Sequence, residues 1–177
     1  MTRSLLPVTL LGLLLIAACG GGGGDVTERL DADDDAVDRA EDKADRPPLQ
    51  VVATTTIVGD LVRAVGGDRV EVTVLMGPGI DPHGYKASAG DVERIRQADI
   101  VFTNGLHLEA KMGEVLAGSP RPTVPVAEAV PTNRRLQPAE FAGAHDPHVW
   151  FDLELWQLAA GAVEEALAER DHPDFAG

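Results

Sequence analysis

The chain has 177 residues, 44% of them hydrophobic and 25% charged, which is enough for one ordinary domain with its own core. A formal net charge of -14 at pH 7, from 29 acidic against 15 basic side chains, argues against nucleic acid as a partner. The single cysteine excludes a disulfide within the chain.

Residues 1 to 24 read MTRSLLPVTLLGLLLIAACGGGGG. Arg3 gives a positive start, and Leu10 to Ala18 form an apolar run too short to span a membrane as a stable helix, so residues 1–18 read as an export signal peptide. Cys19 follows Ile16-Ala17-Ala18, a stretch ending in small residues of the kind a signal peptidase accepts, and five glycines come after it. That arrangement resembles the lipobox of bacterial lipoproteins, which implies lipidation at Cys19 and anchoring through acyl chains at the outer face of the bacterial cell membrane, or a periplasmic location. Residues 25 to 46 carry ten acidic and four basic side chains and no aromatic. Such a segment buries too little apolar surface to offset its ordering entropy, and residues 19–48 are expected to form the lipidated cysteine and a flexible acidic linker.

From Gln50 onward short β-branched runs alternate with helical periods, the pattern of an α/β domain with a mainly parallel sheet of four strands flanked by helices. Strands are predicted over 50–56, 69–75, 99–103 and 123–127. Helices are predicted over 57–65, ended by Gly66-Gly67; over 87–98, with Val92, Ile95 and Ala98 inward and Ser88 or Asp91 as cap; over 108–117; and from about Asp152 to Arg170, with Leu153, Trp156, Leu158 and Val163 packing the core. A polar, proline-containing connection spans Pro131 to Asp146.

Two short stretches share their first three letters: DPHGY at 81–85 and DPHVW at 146–150. The residue before a proline is pushed to extended geometry and the proline fixes its own φ, so His83 and His148 both follow a stiffened backbone. His83 falls in the loop leaving the carboxyl end of the second strand, the edge where open α/β sheets collect ligands, and His148 lies just before the final helix. A neutral imidazole gives one nitrogen to a divalent transition metal at about 2.0–2.1 Å while its other nitrogen is held by a carboxylate, carbonyl or water. His83 and His148 are therefore the candidate metal ligands. His107 and His145 are additional candidates, either as ligands or as residues that hydrogen-bond the ligands, and Asp81, Asp146, Glu109 and Asp152 are further oxygen donors to be weighed. A carboxylate two residues from the histidine, across a proline, is expected to form the turn instead of reaching the ion. His172, in the tail, is expected to face solvent.

The stretches VVATTTIVGDLVRAVGGDRVEVTVLMGPGIDPHGYKAS, ADIVFTNGLHLEAKM and DPHVWFDLELW follow one another in that order. Together they resemble the TroA-like and ZnuA-like lipoproteins that bind zinc or manganese for ABC transporters, from about Gln50 to the end of the chain. The resemblance implies two lobes joined by one long helix, with the ion between them and an ABC importer permease in the membrane as partner of a monomer. It implies that His83 and His148 are the two ligands of the first lobe. On that reading residues 49–150 are the N-terminal lobe and 151–177 the start of the interlobe helix, the C-terminal lobe being absent together with its glutamate or histidine and its aspartate. About half a coordination sphere remains, so weak and poorly selective metal binding is expected. Lys86 stands where such proteins often carry a glutamate.

Two other classes compete. A surface adhesin or interaction lipoprotein could keep the same fold for its shape. A zinc-dependent hydrolase could use His83, His148 and a carboxylate, but the chain has no HExxH helix, no GxSxG elbow and no evident general base beside either DPH block. The chain is therefore expected not to be an enzyme.

Overall fold

A computed structural model of the chain describes residues 46–141 and 143–171. The signal peptide expected over 1–18, Cys19 with linker residues 20–45, and His172 lie outside the described residues.

The β-branched runs become β1 (Leu49–Thr55), β2 (Val70–Met76), β3 (Ile100–Thr103) and β4 (Thr123–Pro125). They form one sheet of order β2-β1-β3-β4 in which every neighbouring pair is parallel. Strand side chains alternate between the faces, and both faces are covered. Val51, Ala53, Ile100 and Phe102 enter one apolar layer, while Val52 and Val101 enter the other. Burying each of the valine, isoleucine and phenylalanine side chains contributes about 1.5–3 kcal/mol of transfer free energy, which is why these strands read as continuous apolar runs.

The helix α1 (Thr56–Gly66) starts where β1 ends. Thr55 caps it, its hydroxyl accepting from the Val58 N–H at 3.2 Å, and Val58, Leu61 and Val62 turn inward at the i, i+3, i+4 spacing of one face. Gly59 lets this helix lie against the sheet, since a Cβ there would come within 2.7 Å of Val74 Cγ2. The next helix, α2 (Ala89–Gln97), begins with a capping box. The Ser88 hydroxyl accepts from the Asp91 N–H, and the Asp91 carboxylate accepts from the Ser88 N–H at 2.8 Å. Tyr85 adds its hydroxyl to the same carboxylate at 2.7 Å, tying the end of the DPHGY block to the helix. Ile95 and Ala98 are buried as the periodicity predicts, but Val92 is exposed.

Two elements depart from the sequence pattern. The helix predicted over 108–117 shrinks to a single 3-10 turn at Ala110–Met112 and the short α3 (Gly113–Ala117). The preceding backbone has positive φ at Gly105 (82°), Leu106 (50°) and His107 (65°), and right-handed winding begins only after this turn. The fourth strand stops at Pro125, and Val126–Ala129 coil into a 3-10 turn whose Ala127 N–H donates to the Asn104 carbonyl at 2.9 Å. Proline supplies no N–H to a ladder, so β4 suits only the sheet edge.

The last helix, α4 (Leu153–Asp171), packs Leu155, Ala159, Val163 and Leu167 inward. Leu153 does not join the core and is 77% exposed, because it stands two positions before Leu155 and so on the far side of the helix. Among the described residues no helix is long and apolar enough to cross a membrane.

Candidate metal centre

Beyond Met76 at the end of β2 the chain turns over Gly77 to Ile80, with Gly79 at φ 82° and the Ile80 N–H donating to the Gly77 carbonyl at 3.2 Å. The first DPH block follows. Asp81 Oδ1 accepts from the His83 N–H at 3.0 Å, an Asx turn across Pro82. The second block repeats it: Asp146 Oδ1 accepts from the His148 N–H at 2.9 Å across Pro147. The shared letters thus build the same turn twice, and each turn presents a histidine.

The two turns meet. The His83 and His148 rings lie 5.5 Å apart between centroids, inclined at 57°. An imidazole bonded to a metal at about 2.0–2.1 Å has its centroid about 3.2 Å from the ion, so two rings at a tetrahedral angle would sit about 5 Å apart. The observed spacing is close to that value. Both rings line a cleft of about 280 Å³ at the carboxyl edge of the sheet, whose walls include Thr55, Thr56, Met76 and Trp150. This is the position where open parallel sheets bind ligands.

The rings are held differently. His148 Nδ1 lies 2.6 Å from Asp146 Oδ1, so the carboxylate that closes the turn also orients the ring and leaves Nε2 as the nitrogen with a free lone pair when the ring is neutral. Burial alone would raise the Asp146 pKa, but the His148 backbone N–H and ring outweigh it and hold the carboxyl below its ordinary range. Trp150 stands edge-on to His148 with centroids 5.1 Å apart. His148 itself, at φ -83° and ψ 47°, is the central residue of a three-residue turn closed by the Val149 N–H on the Pro147 carbonyl at 2.9 Å. His83 is exposed, and Asp81 is hydrogen-bonded to its backbone alone.

The remaining candidates sit elsewhere in the hydrogen-bond network. Glu109 is 4% exposed and accepts from the Thr54 hydroxyl (2.6 Å) and from the Asn104 (2.7 Å) and Gly105 (3.2 Å) N–H groups. It holds the left-handed turn closed, offsetting a strain of about 1–2 kcal/mol for each non-glycine residue in that region. Asp152 caps α4 through the Glu154 and Leu155 N–H groups. His107 is exposed, and the half-buried His145 keeps a buried Nδ1 without a partner. Neither joins His83 and His148: among the described residues no three His, Cys, Asp or Glu side chains gather as one metal site. Reasoning from sequence passed over Asn104, Thr54 and Trp150; Asn-Gly directly after β3, with a glutamate five positions beyond Asn104, was the available sign of a stapled turn.

The family model for ZnuA, described as zinc-uptake complex component A, periplasmic, matches residues 51–176. The chain is 46% identical over 134 residues to the manganese-binding lipoprotein MntA of Bacillus subtilis, an alignment covering 75% of this chain and 43% of that one. It is 49% identical over 131 residues to the zinc-binding protein TroA of Treponema pallidum, covering 71% and 41%. The solved structure of the periplasmic zinc-binding protein TroA superposes with a TM-score of 0.64 at 44% identity, over 69% of this chain and 44% of that one. The chain spans less than half the length of each of these relatives.

Proposed function

The chain belongs to the ZnuA family of periplasmic zinc-uptake components, and on that premise we propose that it captures a divalent transition-metal ion, zinc or manganese, through His83 and His148. The ion is the cargo. Two imidazole nitrogens from neutral rings bind it at the open lip of the cleft. His148 offers Nε2, since Asp146 engages Nδ1. A proton competes with the metal for each ring, so capture weakens in acid.

The family description names a component of an uptake complex, and MntA is a lipoprotein. The first supports an exported protein that hands its ion to an ABC importer permease, and the second supports an anchor through Cys19 at the outer face of the membrane. They also support a carrier in place of an enzyme.

The observation that carries the reading is the 5.5 Å approach of two rings that come from loops 65 residues apart in sequence, His83 and His148. A competition titration of the purified chain against a chromophoric zinc chelator tests it. His83→Ala and His148→Ala should each raise the zinc Kd by about tenfold or more, the loss of one of two donors. Unchanged Kd values in both variants would refute it.

A further inference from the structure

We propose that Asn104 is a positioning residue for the metal site: its buried side-chain amide fixes where His148 stands relative to His83. The inference rests on the reading of those two histidines as the metal donors.

Asn104 follows β3 directly and is fully buried. Its backbone is held on both sides, the N–H donating to Glu109 Oε1 at 2.7 Å and the carbonyl accepting from the Ala127 N–H at 2.9 Å. Nδ2 donates to the Gly105 carbonyl at 3.1 Å and to the Pro147 carbonyl at 3.0 Å, which is 43 residues further along the chain. Pro147 is the residue just before His148, and the same carbonyl takes the Val149 N–H. Two donors, the Asn104 amide and the Val149 N–H, therefore hold the peptide that carries the His148 backbone N–H. Leu106, two residues after Asn104, packs in one cluster with Val149 and Leu155, so the left-handed turn supports the DPHVW block from beneath as well.

The His83 turn lacks this tie. Among the described residues Asp81, Pro82 and His83 receive no hydrogen bond from another element. One histidine is thus fixed to the end of a core strand through the peptide that precedes it, while the other is held by its own Asx turn and, two residues on, by the Tyr85 hydroxyl on Asp91.

A second feature argues that the amide serves this contact. Asn104 Oδ1 is buried without a hydrogen-bond partner, a state that costs free energy in any interior. An apolar side chain of similar size would avoid that cost, but it could not hold the Pro147 carbonyl. What Asn104 supplies to the fold is its two N–H groups, and one of them goes to the histidine loop.

Asn104→Asp keeps the shape and replaces the donor with an anion facing two carbonyls, so it should release the Pro147 peptide. Because it acts through His148, its effect on zinc binding must depend on that histidine. In the otherwise unchanged chain, Asn104→Asp should raise the zinc Kd by about 10- to 100-fold, as removing a hydrogen bond behind a metal ligand does. In the His148→Ala background the weak residual binding at His83, followed by NMR titration of its imidazole with zinc chloride, should change by less than about twofold. Ile95→Val, in the apolar layer on the other face of the sheet, serves as the stability control. It should lower the melting temperature while moving the zinc Kd by less than about twofold. An Asn104→Asp variant that binds zinc as tightly as the parent overturns the inference. So does one whose loss is equal with and without His148, since that marks general damage to the fold. If His148→Ala alone leaves zinc binding intact, the histidine-pair reading fails first, and Asn104 loses its role with it.

Discussion

Asp81→Ala and Asp146→Ala remove the same residue from the same turn, yet they should differ in their effect on zinc affinity. Asp146 makes two contacts with His148, 2.9 Å to the backbone N–H and 2.6 Å to ring Nδ1, whereas Asp81 makes one contact with His83, 3.0 Å to the backbone N–H. A hydrogen bond to a charged group contributes about 1.5–3 kcal/mol when well shielded, and the Asp146 side chain is only 25% exposed. With the ring contact gone, the imidazole loses both its orientation and the tautomer that frees Nε2. The expected penalty is about 10- to 100-fold in Kd, or about 1.4–2.8 kcal/mol. The Asp81 bond is exposed and touches no ring atom, so its loss should cost about threefold, within the range of a single solvent-facing hydrogen bond. Both variants would be titrated with zinc against a chromophoric chelator, with melting curves run in parallel. Equal losses, or a larger loss at Asp81, would refute the claim that the ring contact at 2.6 Å prepares His148 for the ion.

Glu109→Gln should destabilise the chain by about 2–4 kcal/mol, because a neutral amide cannot accept from all three donors that meet the carboxylate. Thermal unfolding should show a drop of roughly 6–15 °C, and a shift near zero would remove the staple from the account. Asp91 gives a pH signature. Burial would raise its pKa, but hydrogen bonds from Tyr85, Ser88 and Arg94 outweigh it, and the folded value lies below the ordinary 3.8. Its stabilisation is therefore fully present above that ordinary value and is lost as the pH falls through the lower folded one. Urea midpoints measured from pH 6 downward should fall in acid for the parent and flatten in Asp91→Asn; identical slopes would contradict the assignment.

The parallel sheet was legible because its strands are short β-branched runs with both faces buried, and α1 was legible because Val58, Leu61 and Val62 keep helical spacing before a glycine stop. The candidate site was legible for a different reason: proline restricts its neighbours locally, so a repeated Asp-Pro-His predicts a repeated turn without knowledge of the fold. The turn at 104–109 was not legible in the same way. Residues 108 to 117 carry ordinary helix formers, and what overrides them is a buried carboxylate binding Thr54, a strand residue 55 positions away. No local window holds that contact. Leu153 was misplaced because hydrophobicity alone does not reveal on which side of α4 a first-turn residue falls. That the two rings approach was likewise beyond spacing, since it depends on the strand order β2-β1-β3-β4 and on Asn104 holding the second loop.

X-ray absorption at the zinc edge of the zinc-loaded chain tests the central claim, that His83 and His148 share one ion. The spectrum should show imidazole scattering from two nitrogen ligands at about 2.0–2.1 Å, falling to one in His83→Ala and to one in His148→Ala. A spectrum that neither substitution changes would place the ion elsewhere and contradict the account.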